Sequence, residues 1–470
     1  MKIGKGKTNM KIGLLPFYLK LYDEICPEKN DEMDAFVRKI GLEYEKRAIK
    51  VFVAPICKEK NEFQSAISQF EKDDVDAIVT LHLAYSPSLE SIDAIAGTKL
   101  PVIILDTTPD FNFGFDQTID KIMYNHGIHG VQDFCNLLVR RNKDFILEAG
   151  HWEKSDIIDR TVLSISGCQA ARNMRNARVG IIGEPFDGMG DFAIPFDILK
   201  KEIGMEVVSA SSEQIAEMMP KIDSVEVNAE MEKDLKNFQH DTSLGNEELA
   251  LSEAAGLGVR KWIEQQKLTA MTVNFQSITG APGLPVTPFL EVSKAMSRGI
   301  GYAGEGDVIT AALCGALIQI IPETTFTEMF CPDWEGNKIF MSHMGEINTE
   351  LISGSPILEI RPYPFSAAAD PVIASGCLKP GTAHLINLAP GANDTFTLII
   401  APVEVCNTAG NEAINSGIRG WIKPKMPIVD FLKQYSLNGG THHSVLCYNI
   451  SAIFTEAFAK SMNWNFVIIS

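Results

Sequence analysis

The chain is short of several things that would each have announced a function. Histidine occurs nine times and tryptophan five times in 470 residues. Positive charge is scarce: 42 Lys and Arg stand against 60 Asp and Glu, a formal net charge of -18. That field repels phosphate backbones and anionic membrane surfaces, so the balance argues against nucleic acid or a membrane as partner. The nine cysteines are odd in number, scattered and never in C-x-x-C spacing, which excludes a disulfide framework and a zinc ribbon and leads us to expect a reducing cytoplasm. No apolar run reaches the roughly 20 residues of a membrane span. The start, "MKIGKGKTNMKIGLLPFYLK", has no apolar stretch of signal-peptide length. Its repeated "MKIG", at Met1 and Met10, reads as two alternative translation starts.

Cofactor and nucleophile motifs are missing too. "RVGIIGEPFDGMGDF" is a glycine-containing turn between a strand and a helix, but Gly180, Gly183, Gly188 and Gly190 do not form G-x-G-x-x-G after the strand. No G-x-x-x-x-G-K-[ST] phosphate loop and no G-x-S-x-G elbow occurs. The segment therefore reads as a tight turn in an α/β domain.

What remains is an ordinary globular composition, 45% hydrophobic and 22% charged, in a chain long enough for roughly two to four domains. "KIGLLP", "IKVFVAP", "VDAIVTLHL" and "LPVIILDTTP" read as buried parallel strands. Helical patterns alternate with them: Met33, Phe36, Ile40 and Leu42 form one apolar stripe, and "NEFQSAISQFEKDD" repeats the theme. This predicts a Rossmann-like or flavodoxin-like domain over 1–174. "RVGIIGEP", "MEVVSA" and "LTAMTVNF" predict a second α/β domain over 175–320. From about Pro322 the pattern turns to strands, "KIFMSHMGEI", "ILEIRPYPF", "TAHLINLAPG" and "TFTLIIAPVEV", and predicts a mainly-β barrel or sandwich over 321–470. The fold class is α/β plus β.

Chemistry concentrates in three segments. In "GYAGEGDVITAAL" Glu305 lies between two glycines ahead of an apolar helix, where it and Asp307 suit the helix dipole. In "TTFTEMF" Glu328 sits in a strand, and a carboxylate at an inward position there is costly unless paired or metal-bound. In "FMSHMGEI" His343 lies between two methionines of a strand, where an isolated histidine is more often a satisfied core residue than a ligand. "GGTHHSV" adds His442 and His443. Two carboxylates and two imidazoles make a mixed oxygen and nitrogen set that suits Mn²⁺, Fe²⁺, Co²⁺ or Zn²⁺. Spacing alone does not bring them together.

These three segments, with weaker echoes in "LHLAYSP", "GIHGVQDF", "AGHW" and "TVNF", resemble the L-arabinose isomerases of the L-arabinose/L-fucose isomerase group over nearly the whole chain. The resemblance implies two Rossmann-like domains followed by a β-barrel-like domain, assembled as homo-trimers or homo-hexamers. It implies that Glu305, Glu328, His343 and His443 bind a divalent metal, typically Mn²⁺, with His442 as a supporting neighbour. Glu305 and Glu328 would be the acid/base groups, and His126, His129, Tyr85 and Phe275 would lie near the sugar, His129 reaching in from an adjacent subunit. The implied reaction is aldose to ketose conversion, a 1,2-hydrogen transfer by either an enediol or a hydride-shift route.

Some positions depart from the family pattern. His126 stands where the family usually has glutamine, Gln132 where it has arginine, "PFYLKLYDE" replaces a glutamine-containing turn, and the tail ends at "NWNFVIIS"; all of these except the tail lie on the sugar side. A modified hexose such as sulfoquinovose, or L-fucose, therefore stays open as substrate. So do a non-catalytic sugar sensor and a metal-dependent lyase or epimerase.

Overall fold

The computed structural model describes residues 10–408 and 417–470, and the "MKIG" at Met1 lies outside them. The chain divides into two compact units. Among the described residues, one comprises 10–172 with 451–463, the other 173–408 and 417–450 with 464–470.

The first unit is built on a five-stranded parallel sheet of β1 (Lys11–Phe17), β2 (Lys50–Val53), β3 (Ala77–His82), β4 (Val102–Asp106) and β5 (Ile146–Ala149), in the order β2-β1-β3-β4-β5. Every residue of β3 is buried, as a strand covered by helices on both faces requires. Helix Asn30–Glu45 buries Met33, Phe36, Val37, Ile40 and Tyr44. Leu42, expected on that stripe, is 53% exposed, because the 3.6-residue repeat runs from Ile40 to Tyr44 and turns Leu42 outward. Helix Lys60–Asp73 starts at a capping box between Glu59 and Glu62 and buries Phe63, Ala66, Ile67 and Phe70.

The second unit contains a four-stranded parallel sheet, β10-β9-β6-β7, from β6 (Arg178–Ile182), β7 (Glu206–Ala210), β9 (Ala270–Val273) and β10 (Gly301–Gly304). Beyond it, β11 (Thr324–Asp333), β12 (Lys338–Ser342), β15 (Gly381–Pro390), β16 (Phe396–Val405), β17 (Ile418–Pro424) and β18 (His443–Tyr448) pair in the ring β16-β15-β18-β11-β12-β17, and β17 closes back on β16. The expected barrel is thus a closed one of six strands. Closure leaves these strands no free edge. β19 (Asn465–Ile468) adds to β16, while β14 (Val372–Cys377), β13 (Ile357–Ile360) and β8 (Gln239–His240) extend from β17.

Helix Val308–Ile318 links sheet and barrel. All its residues are buried, and it packs against β9 and β10 on one side and β11, β15 and β18 on the other. A helix apolar all round belongs in such a position. Its N-terminal end, with Glu305 and Asp307 just ahead of it, therefore faces the barrel.

Candidate metal centre

β18, β11 and β12 are consecutive in the barrel, and their register sets the site. Glu328 is paired with His443 across one ladder and with Ser342 across the other. Residues directly opposite in antiparallel strands have Cβ atoms about 4.5–5.5 Å apart. Ser342 ends β12, so His343 is the first residue beyond the strand rather than inside it as expected. There the backbone is free to turn the ring toward Glu328.

Glu305 completes the group from the end of β10. It is not in the first turn of the following helix: Asp307 is the N-cap, accepting from Thr310 N at 2.9 Å, and Glu305 precedes it with φ +62°. A glutamate in the left-handed region is uncommon and held at a cost, a feature found at functional sites. Backbone bonds fix it, since Glu305 N donates to Val273 O at 2.9 Å and Phe186 N donates to Glu305 O at 3.0 Å. Gly304 makes room for the histidine, as a Cβ there would stand 2.7 Å from His343 Cε1.

The side chains converge. His343 Nε2 is 3.8 Å from Glu328 Oε2, and His443 Nε2 is 3.5 Å from Glu305 Oε2. Candidate ligand atoms of Glu328, His343 and His443 lie within 4.8 Å of one another, as do those of Glu305, His442 and His443. Both site histidines are buried, His443 completely. Each is gripped from behind by a carboxylate: His343 Nδ1 meets Glu346 Oε2 at 2.6 Å, and His443 Nδ1 meets Asp307 Oδ2 at 3.1 Å. Tyr302 OH donates to the other oxygen of Glu346 at 2.8 Å.

A carboxylate on Nδ1 makes that nitrogen the donor and leaves Nε2 as the ring position that faces a ligand. Both Nε2 atoms are buried without a hydrogen-bond partner. An orphaned buried nitrogen is costly. Two of them, one beside Glu328 and the other beside Glu305, fit a divalent cation.

Without a cation, the two carboxyls are pulled apart electrostatically. Burial pushes Glu305 up, but the hydrogen bond from His442 and the neighbouring imidazoles outweigh it and hold the group below its ordinary value. Burial pushes Glu328 up, and the imidazoles offset this only in part. For His343, burial pushes down, and the charges of Glu346, Glu328 and Glu305 override it, leaving the ring above the ordinary histidine value.

His442 is placed quite differently from its neighbour. Its side chain is 32% exposed, and its ring lies between Asp191 and Glu305, with Nδ1 2.6 Å from Asp191 Oδ2 and Nε2 3.5 Å from Glu305 Oε2. Phe275 is in the same unit, packed against Phe186, Tyr363 and Phe365.

The other proposed sugar contacts belong to the first unit. Tyr85 follows β3 and its OH donates to Asp133 at 3.5 Å. His126 and His129 flank the start of helix Gly127–Arg140, their rings edge to face at 5.9 Å, and His129 is exposed. His126 Nδ1 donates to Ile122 O at 2.7 Å, so its Nε2 accepts from Tyr22 OH at 3.1 Å. Tyr22 comes from "PFYLKLYDE". Two segments singled out in the sequence therefore touch each other.

Sequence reasoning missed Asp191, Glu346, Tyr302 and Phe192. Glu346 is three residues from His343 within a quoted motif, a spacing that could have suggested it. Asp191 gave no local signal.

Comparison with known proteins gives the family. The L-arabinose isomerase central-domain model matches residues 199–322, and the C-terminal-domain model of the same family matches 323–465. The L-arabinose isomerase of Shouchella clausii is 25% identical over 420 residues, covering 83% of this chain and 81% of that protein. That of Oceanobacillus iheyensis is 26% identical over 426 residues, covering 85% of each. A periplasmic solute-binding protein from Actinobacillus succinogenes with bound D-allose covers 66% of this chain and 92% of its own at 13% identity, but its TM-score of 0.18 carries no argument. The chain is an aldose-ketose isomerase, an intramolecular oxidoreductase. It belongs to the L-arabinose isomerase family. Among the described residues no helix is long and apolar enough to cross a membrane.

Proposed function

We propose that the isomerisation depends on a divalent metal, Mn²⁺ by the family resemblance, held by Glu305, Glu328, His343 and His443. The observation that carries this is the pair of buried, partnerless Nε2 atoms facing two carboxylates. A bound divalent cation would supply Lewis acidity toward adjacent sugar oxygens.

The chain's own groups do the proton work in this reading. Glu305 and Glu328 are the acid/base pair, one carboxylate taking the C2 proton and the other supplying or returning one. Each positioned group contributes on the order of 10²–10⁴ in rate. His343 and His443 stay fixed because Glu346 and Asp307 grip them.

The sugar contacts His126, His129, Tyr85 and Phe275 are part of the same proposal, in a cytoplasmic homo-trimer or homo-hexamer. The Tyr22–His126 pair favours a second reading of the substrate, an aldose other than L-arabinose, such as L-fucose or a 6-substituted hexose like sulfoquinovose. Both nitrogens of His126 are used inside the protein, so this position offers no donor where an amide would offer two.

The test is chelation followed by Mn²⁺ addition, with ketose formation read across pentoses, hexoses and 6-substituted hexoses. Activity lost with the metal and restored by Mn²⁺ is expected, and no turnover on any sugar sinks the reading. Glu328→Gln is expected to abolish turnover with circular dichroism unchanged.

A further inference from the structure

The connection from β6 to helix Phe196–Glu202 runs over 183–195. It is far longer than the tight turn its sequence suggested, and it meets the metal centre at several points. Phe186 N holds the carbonyl of Glu305 at 3.0 Å. Gly306, at φ +86°, lets Pro185 approach so closely that a Cβ there would stand 2.6 Å from Pro185 Cα. Asn274 Nδ2 donates to Glu184 O at 2.8 Å. At its far end two consecutive residues meet two consecutive histidines: Asp191 takes His442, and Phe192 stacks on His443 with the rings 9° from parallel and 5.6 Å apart.

The Asp191 contact is bidentate from the histidine's side. His442 N donates to Asp191 Oδ2 at 3.0 Å, and Nδ1–H donates to the same oxygen at 2.6 Å. Both carboxylates can only accept, so Nδ1 donates to Asp191 and Nε2 to Glu305, and the ring is pinned about both its backbone and its edge. The pinned ring then has one direction for Nε2, toward Glu305 Oε2 at 3.5 Å. The nearby His343 and His443 are oriented by Glu346 and Asp307 in the same way.

We infer that Asp191 is a positioning residue of the centre, acting through His442 to fix the orientation of the Glu305 carboxylate. The inference rests on the proposed role of Glu305 as ligand and base. His442 Nε2 and His443 Nε2 both lie 3.5 Å from the same oxygen, Oε2, so the contact from His442 sets where that oxygen stands beside the proposed ligand His443, and loss of an outer-shell partner of this type typically costs about 10–100-fold in metal affinity or activity.

The test uses the full-length protein and the variants Asp191→Ala, Asp191→Asn, His442→Ala and the Asp191→Ala/His442→Ala double variant. Mn²⁺ affinity is read by electron paramagnetic resonance and kcat with the best substrate of the panel. Asp191→Ala is expected to lose roughly 10–100-fold in affinity or kcat, while Asp191→Asn, which keeps an acceptor oxygen, recovers most of it. If Asp191 acts only through His442, the double variant is no worse than His442→Ala. Additive losses, or a wild-type-like Asp191→Ala, overturn the inference. The nitrogen resonances of His442 in metal-free protein separate this from the failure of the proposed function. A carboxylate-bonded Nδ1–H that disappears in Asp191→Ala supports the clamp even if no sugar is turned over, and one that persists overturns it.

Discussion

At the residue scale, the two adjacent histidines of "GGTHHSV" are divided by what lies behind each ring. His443 is fully buried, carries Asp307 on Nδ1 and leaves Nε2 unpartnered. His442 is partly exposed and spans two carboxylates. His443→Ala is therefore expected to abolish Mn²⁺ binding measurable by calorimetry, whereas His442→Ala keeps a weakened site. The reverse pattern would reassign the ligand by one residue. A second prediction concerns protons. His343 is held above the ordinary histidine value without a cation, and it must present a free Nε2 to bind one. Near neutral pH the binding of Mn²⁺ is thus expected to release protons, and affinity is expected to rise with pH from the ordinary histidine range upward, by about tenfold per unit for each proton displaced. Calorimetry in buffers of different ionisation enthalpy reads the number directly. Zero release would show that the His343 imidazole is already neutral. In the sequence, the four ligand types were visible as Glu305, Glu328, His343 and His443, but only the family resemblance chose His443 over His442. Asp191 stayed hidden because it meets His442 across 251 residues of chain, and no local pattern encodes such a pairing.

At the scale of elements, the barrel and the parallel strands were legible because each alternates or runs apolar over its own length. Strand register was not. The pairing of Glu328 with His443 on one side and Ser342 on the other depends on long-range ladders, and the periodicity of a strand says which face is buried but not which partner residue stands opposite. The same limit misplaced His343 inside β12 and read 183–195 as a tight turn, since the contacts that terminate a strand or order a loop come from elsewhere in the fold. Two substitutions test the elements that aim the ligands. Gly304→Ala puts a methyl group 2.7 Å from His343 Cε1, which the buried ring can relieve only by leaving its position. It is expected to lose metal affinity more than stability, checked by calorimetry alongside urea unfolding. Asp307→Ala removes both the helix cap and the partner of His443. Loss of an N-cap costs about 0.5–2 kcal/mol, so unfolding should shift by that amount while metal affinity falls about 10–100-fold. A stability loss without a change in affinity would show that Asp307 serves the helix alone.

At the scale of the whole molecule, all four proposed ligands, and the groups that grip them, belong to the second unit, and none to the unit of 10–172 with 451–463. A ligand stabilises only the folded body that binds it, by about 2.7 kcal/mol at a free concentration 100-fold above Kd. Metal should therefore act on one part of the chain. Native-state hydrogen exchange is position-resolved and tests this. Saturating Mn²⁺ is expected to slow exchange in peptides covering 301–307, 324–343 and 439–448, where β10, β11, β12 and β18 deliver Glu305, Glu328, His343 and His443. Peptides from β1, β3 and β4 are expected to keep their metal-free rates, because nothing in that sheet contributes a proposed ligand. Equal slowing in both sets would mean that the metal is held by residues of both units, and no slowing in the barrel peptides would remove the metal from the centre described here. The excess of 18 negative charges makes ionic strength the control. Salt screens a diffuse attraction between the chain and a cation, but hardly touches a site where imidazole and carboxylate donors are buried, so protection that survives about 0.5 M salt belongs to the centre rather than to the acidic surface.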